Sequence, residues 1–449
     1  MTDPALGIVA DDLSGAAECA VHALMRVSRS TVLLVGDPAS PPDPTPGQRL
    51  DTVVTVDTDS RRLERDDAVR AVRAAAALVS GAPVVVKKVD SLLRGHLAAE
   101  VAALAAELGR TAVVAVANPA LDRVVRDGVL HVGGTPLHET DLWAVEPTPA
   151  PSRVAEALHP LATVLVPHTV VALGVDAVAA ALSDAAGSGL VAVCDAVTER
   201  DLEIVHEAAT RGSSDVLLVG SGALAAVATR ALADQRREPD RGRGARTIAD
   251  PNEARPFEGR NPRTTGTRSL LLVLGTRAPA LPTQLEHLTA ARSAQTLLVR
   301  PGVLLDDPEA VRVELAGLPR DGVVVVALDP AAPADPTRSR ALGEALADAV
   351  APLLDGYDAA FLSGGETARA VLDRLSVHAL EVLDEIEPGT VVSCRPGGRL
   401  VVTRPGSFGS ASSLVDVAAH LLDDPTSCPP EPTHTATRAV HDATTEENS

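Results

Sequence analysis

The sequence predicts an α/β protein of two domains, each a mainly parallel sheet flanked by helices, with the active site in the interdomain cleft. From Leu6 to about Leu232, short Val- and Leu-rich runs alternate with Ala-rich stretches of helical spacing, the pattern of a parallel sheet with crossover helices. Between Asp234 and Arg268 the alternation stops, and Arg, Pro, Gly, Asp and Thr dominate with no apolar repeat. At Ser269 it restarts with Leu270-Leu271-Leu272-Val273-Leu274, and a chain of 449 residues has room for two or three domains.

In order, strands are expected near 6–10, 31–35, 52–56, 83–88, 111–117, 162–166, 190–194 and 215–219 in the first domain. The second domain adds 270–274, 323–326, 359–362 and 400–402 and ends near Leu422. The expected organisation is a domain over 1–233, a linker over 234–268, a second domain over 269–422 and a disordered tail over 423–449. That tail is rich in Thr, Pro, Glu and Asp and offers too little apolar surface to offset chain entropy.

Composition narrows the partners. Hydrophobic residues at 45% and charged residues at 22% support ordinary buried cores, but aromatics at 1% leave almost no stacking platforms for bases. A net charge of −20 also argues against nucleic acid, so an anionic ligand would need a local basic pocket. Cys19, Cys194, Cys394 and Cys428 are far apart and form no CxxC pair, so neither zinc nor a disulfide framework is expected. The chain enters its first strand without a signal-peptide pattern and has no run of 18 apolar residues, so a membrane partner is not expected and a cytoplasmic location is.

The densest chemistry lies at Val84-Val85-Val86-Lys87-Lys88-Val89-Asp90-Ser91-Leu92-Leu93-Arg94-Gly95-His96. Lys87 and Lys88 are the chain's two lysines among 40 cationic residues, and they fall where an apolar strand runs out. Ligand crevices of open α/β sheets lie outside the carboxyl ends of strands, which puts Lys88, Asp90, Ser91 and Arg94 at a site; a structural ion-pair cluster is the plainer alternative. The first strand ends in Asp11-Asp12-Leu13-Ser14-Gly15, where either aspartate can serve a ligand or cap the following helix. After the third strand, Asp59-Ser60-Arg61 adds a guanidinium able to clamp a carboxylate.

In the second domain Phe361-Leu362-Ser363-Gly364-Gly365-Glu366-Thr367 reads as strand, glycine turn and helix start, where backbone and free amides can approach a phosphate. Gly275-Thr276-Arg277 and Arg404-Pro405-Gly406-Ser407-Phe408-Gly409 are two further strand-end turns. A P-loop is absent, because Lys87 follows Val86 and not glycine. Gly220-Ser221-Gly222-Ala223-Leu224-Ala225 fits a relaxed dinucleotide fingerprint, so an NAD-dependent oxidoreductase is weighed, but the chain then enters the linker where an acid-tipped partner strand should follow.

Taken together, Asp11-Asp12-Leu13-Ser14-Gly15, Asp59-Ser60-Arg61, Lys87 to Gly95, Ser363 to Ala368 and Thr403 to Gly409 resemble the four-carbon acid sugar kinases in order and spacing from about residue 6 to 422. The resemblance implies a sugar-acid-binding domain followed by a nucleotide-binding domain, with ATP phosphorylating the 4-hydroxyl of threonate, erythronate or 3-oxo-tetronate. It departs from the family pattern at Ser14, where threonine is usual, and at Leu92, where a hydroxyl is lost. Where many members carry a GRTT-like stretch this chain reads Asp122-Arg123-Val124-Val125-Arg126-Asp127-Gly128, and Arg404 stands where lysine is usual.

These readings assign Asp12 as catalytic base, with Asp11 second. Asp11's like charge is expected to raise the Asp12 pKa. Arg94 is expected to hold the substrate carboxylate with Arg61 or Lys88 nearby, while Asp90 and Ser91 bind hydroxyls. The ATP site is expected at Thr276, Ser363, Gly364, Gly365, Glu366, Thr367, Gly406 and Gly409, with Mg2+ carried by the nucleotide, no protein metal cage, and Arg404 within reach of phosphate. A homodimer is also expected. A sugar-acid sensor that keeps the fold without turnover is the alternative from outside enzymology.

Overall fold

In the computed structural model the described residues are 4–24, 30–36, 53–144, 146, 148–211, 215–237, 268–276, 278–332, 338–406, 408–423 and 428. Most of the expected linker and tail, together with Arg277 and Ser407, lies outside them. The helix Gly222–Arg237 runs past Leu232 into the stretch read as linker.

Among the described residues eighteen strands are formed: β1 Leu6–Ala10, β2 Ser30–Leu34, β3 Val53–Asp57, β4 Val84–Lys88, β5 Thr111–Ala115, β6 Arg123–Arg126, β7 Val129–Val132, β8 Thr135–Pro136, β9 Thr163–Val166, β10 Val191–Cys194, β11 Val216–Gly220, β12 Ser269–Leu274, β13 Ala294–Val299, β14 Gly322–Leu328, β15 Ala359–Ser363, β16 Ala379–Glu387, β17 Thr390–Arg395 and β18 Arg399–Arg404. Each expected strand is present within two residues of its place at either end. Fifteen strands make one sheet in the order β13-β14-β12-β15-β18-β17-β16-β2-β3-β1-β4-β11-β5-β10-β9, and β6-β7-β8 form a small second sheet.

Two parallel blocks lie within the large sheet, one per half of the chain. Between them β16 pairs antiparallel with both β17 and β2, and Ala379 to Val382 lie opposite Leu33 to Ser30. The halves also share a core. Ala16, Ala20 and Val32 of the first half belong to the same buried cluster as Leu362, Ala368 and Leu380 of the second. A β-sheet twists by roughly 20–25° per strand, so the six steps from β1 to β15 accumulate on the order of 120–150°. That rotation lets the carboxyl ends of two oppositely directed blocks face one space.

One cysteine expectation is corrected. Cys394 and Cys428 form a disulfide, which ties a residue of the expected tail to β17; Cys19 and Cys194 are buried and free. The pairing was unreadable because the two residues are 34 apart in sequence and meet only through the fold. Among the described residues no helix is long and apolar enough to cross a membrane.

Candidate active site

Strands β3, β1 and β4 are neighbours in parallel register, with Ala10 opposite both Asp57 and Lys88, so three strand ends deliver their polar residues to one place. Arg61 binds Asp11 in two parallel bonds, Nε to Oδ2 and Nη2 to Oδ1, each 2.9 Å. Its Nη1 donates to Asp12 Oδ2 at 3.0 Å. Lys88 Nζ completes the cluster, 3.0 Å from Asp12 Oδ1 and 3.8 Å from Asp11 Oδ1. The amide of Gly15 also donates to Asp12 Oδ1 at 3.2 Å, so Asp12 caps the helix Leu13–Leu24 while facing the cations. Gly15 is required by this packing: a Cβ there would stand 1.8 Å from Lys88 Nζ.

The charge pattern overturns the expected upward shift at Asp12. Burial does push its carboxyl up, but Arg61 and Lys88 outweigh it and hold Asp12 well below the usual carboxylate range. Burial likewise opposes the charge on Lys88, and Asp12 and Asp11 more than restore it. The Asp12 side chain is 21% exposed and that of Asp11 4%, so Asp12 is the carboxylate turned outward.

The paired lysines divide between site and core, as alternation along a strand requires. Lys87 points to the other face and binds Glu100 Oε2 at 2.7 Å, with 0% and 2% of the two side chains exposed. Beyond Lys88 the chain turns sharply, with Leu93 at φ +66°. Asp90 is bound by Arg94 through Nε at 2.7 Å and Nη2 at 2.9 Å, and it also accepts the amides of Leu92 and Arg94. Burial raises the Asp90 pKa, but Arg94, Arg61 and Lys88 bring it down to about 2.

In the second half the ends of β12, β15 and β18 supply the glycine turns. Gly364 has φ +103° and precedes the helix Gly365–Arg374, whose first turn has no side-chain cap and leaves its amides available. A Cβ at Gly275 would meet Thr367 Oγ1 at 1.9 Å, and one at Gly406 would meet Thr276 at 2.9 Å. Thr276 Oγ1 donates to the Gly406 carbonyl at 2.9 Å, tying two of the turns together.

Arg404 is not where phosphate contact was expected. Its side chain is 1% exposed and lies over the Phe361 ring, 5.0 Å from the centroid, with Nη2 3.3 Å from both Gln284 and Ser363. Gly409 covers it: a Cβ there would fall 2.4 Å from Arg404 Nη1.

A cavity of about 1180 Å³ receives both sets of groups. Of the expected residues, Asp12, Arg61, Lys88, Asp90, Ser91 and Arg94 line it from the first half, and Thr276, Gly364, Gly365, Glu366, Thr367 and Gly406 from the second. Asp11 and Ser363 are buried behind this wall, and Gly409 is exposed and not part of it. Ser14 faces the second half, its Oγ 2.9 Å from where a Cβ on Gly365 would stand. Among the wall residues that escaped the sequence reading of the site are Asp59 and Arg123. Burial and then the Asp57 carboxylate push Asp59 up to about 7, against the pull of Arg369. Asp59 sits beside the recognised Arg61, whereas Arg123 follows a turn with no chemical signature of its own.

The dinucleotide reading fails on geometry. After β11 and its helix the next described strand is β12, in the other block. At the turn itself a Cβ on Gly222 would lie 2.5 Å from Glu18 Oε1, so a pyrophosphate there would meet a carboxylate.

Fold and site define a two-part α/β protein with an acid-and-cation cluster and a glycine-lined cradle on one cavity. Residues 6–228 match the sugar-binding N-terminal domain family and residues 271–414 the nucleotide-binding C-terminal domain family. The chain is 33% identical to the D-threonate kinase of Cupriavidus necator, covering 91% of this chain and 95% of that one. It is 30% identical to the 3-oxo-tetronate kinase of Methylobacterium radiotolerans, over 91% and 97%, and 28% identical to the D-erythronate kinase of Heliobacterium modesticaldum, over 92% and 96%. A crystal structure of a DUF1537 protein from Haemophilus influenzae shares the fold, with a TM-score of 0.67 at 18% identity over 93% of this chain and 100% of that one. The chain belongs to the four-carbon acid sugar kinase family.

Proposed function

We propose that this chain transfers the terminal phosphoryl group of ATP to the 4-hydroxyl of a four-carbon sugar acid of the threonate, erythronate or 3-oxo-tetronate type. The observation that carries the reading is the single cavity joining the Asp12–Lys88–Arg61 cluster to the glycine turns. The uncapped first turn of the helix Gly365–Arg374, with Thr276, Gly364, Gly365, Glu366, Thr367 and Gly406, forms the phosphate cradle; Ser363 is buried beneath it, and Gly409 packs over Arg404. Asp90, Ser91 and Arg94 border the sugar acid, and Arg61 fixes the carboxylates that meet it.

Phosphoryl transfer depends mainly on position and charge neutralisation. Asp12, held ionised and turned into the cavity, orients the acceptor hydroxyl and takes its proton late, with Asp11 bracing Arg61 behind it. Lys88 offers a compact positive charge at the same carboxylate. Mg2+ fits here only as the nucleotide's companion, because Asp12 and Asp90 are already matched by Arg61, Lys88 and Arg94; bound with the phosphates, it would neutralise their charge. We place the enzyme in the cytoplasm, where the Cys394–Cys428 pair would be open to reduction. A homodimer belongs to this reading, and light scattering at two concentrations tests it.

The deciding experiment follows ADP release from ATP and Mg2+ with threonate, erythronate and 3-oxo-tetronate in turn. Saturable turnover with at least one acid is expected. Binding of an acid with no ADP above background from any of them would overturn the kinase reading in favour of a sensor.

A further inference from the structure

Among the described residues the cavity's cations are already spoken for, with one exception. Arg61 is paired with Asp11 and Asp12, Arg62 with Glu366, Lys88 with Asp12, Arg94 with Asp90, and Arg230 with Glu199. Among the described residues Arg123 has no carboxylate oxygen within ion-pair distance, although it lines the same wall. Its Nη1 donates to Ser91 Oγ, and its Nε is buried with no hydrogen-bond partner. Burial penalises its charge, and only the more distant Asp90 and Glu18 offset that.

The backbone holds this side chain in place before any ligand arrives. Asn118 and Arg123 exchange two bonds, 2.7 and 3.1 Å long. Asp122 just before it occupies the left-handed region at φ +52°, a conformation aspartate tolerates. The hairpin of β6 and β7 is anchored at its turn by the fully buried Asp195, which accepts the amides of Asp127, Gly128 and His168 at 2.8, 2.9 and 3.0 Å. A positioned guanidinium beside a hydroxyl, both facing a cavity and lacking a counter-charge, fits a planar anion delivered by the ligand.

We propose that Arg123, assisted by Ser91, receives the carboxylate of the substrate and sets the preference for sugar acids over the corresponding uncharged polyols. This rests on the kinase reading and adds a residue to it. The test compares wild type with Arg123→Gln and Arg123→Lys on the acid that is turned over and on threitol, with ATP affinity followed by calorimetry. Arg123→Gln should lower kcat/KM for the acid by about 10²-fold and leave threitol and ATP nearly unchanged; Arg123→Lys should recover part of the loss. A KM for the acid within about twofold of wild type overturns the assignment, as does an equal loss on acid and polyol. If wild type turns over none of the three acids, the kinase reading fails separately. Calorimetric binding of those acids to wild type and Arg123→Gln then decides the carboxylate site: weaker binding to the variant supports it, and equal affinity or no binding to either overturns it.

Discussion

Arg369, on the helix that follows the Gly364 turn, donates from Nη1 to Asp57 Oδ2 at the end of β3, 2.7 Å away, with 4% and 0% of the side chains exposed. Arg369 also bonds the Val35 carbonyl and Asp373. This ion pair spans the two halves of the chain, and burial makes each partner depend on the other. Arg369→Leu strands a buried carboxylate and should cost about 3–5 kcal/mol in chemical denaturation. Asp57→Asn in the same chain should return much of that. Additive losses from the two changes would mean the pair is not coupled.

Asp59 gives the site a pH signature. Its carboxyl is held up to about 7 against an ordinary 3.8, so between those values the folded chain retains a proton that the unfolded chain has released. Stability from this group is therefore greatest below pH 3.8 and falls as pH rises towards 7. Asp59→Asn should flatten that fall and raise Tm at pH 8 by a few degrees, on the order of 1 kcal/mol or more. An unchanged pH profile of Tm would show that Asp59 titrates normally.

Asp12→Asn keeps the side chain's shape and removes its basicity. It should lower kcat by about 10²-fold or more with little change in acid affinity. Because Asp12 is held well below the usual carboxylate range, activity should show no loss from its protonation down to pH 5. If Asp12→Asn keeps most of its kcat and Asp90→Asn does not, Asp90 is the proton acceptor.

Gly365→Ala places a methyl group between the cradle and Ser14. Calorimetry should show ATP binding weakened at least about tenfold, or ~1.4 kcal/mol, with sugar-acid binding preserved. Adding Ser14→Ala separates two causes. Full recovery would mean the methyl acted only by pushing Ser14, and no recovery that it blocks the phosphates.

Lys87 and Lys88 should part company in the same way. Lys87→Met leaves Glu100 buried and alone, so it should destabilise by about 3–5 kcal/mol while the folded fraction keeps its KM. A large KM change would place Lys87 at the site after all.

The lysine pair also marks how far the sequence can be read. Strand ends announce themselves because a buried parallel strand is an unbroken Val/Leu run, and a polar cluster directly after it stands out. Which of two adjacent lysines faces the ligand depends on Glu100, a helix away, and no spacing reveals it. Strand β16 was missed because a half-exposed antiparallel strand mixes charge with apolar residues, as in Ala379–Glu387, and β17 because Thr390, Ser393 and Arg395 break its apolar run although most of it is buried. β13 was missed for the related reason that it is an edge strand with exposed positions. The Asp12 shift was misjudged because its neighbour in sequence is Asp11, while the cations that govern it come from β4 and from the turn after β3.

The antiparallel seam between β2 and β16 has a consequence for synthesis. Leu33 must wait for Ala379, and at about 5–20 residues per second the ribosome needs roughly 17–70 s to deliver it. Once β11 has followed at Gly220, β2 is for the rest of that interval the open border of a finished first block, with backbone donors and acceptors unpaired along one side. Nascent chains on neighbouring ribosomes present the same border at the same time. Crowded translation should therefore be the stage at which this protein most needs a chaperone, well before any ligand bears on its stability.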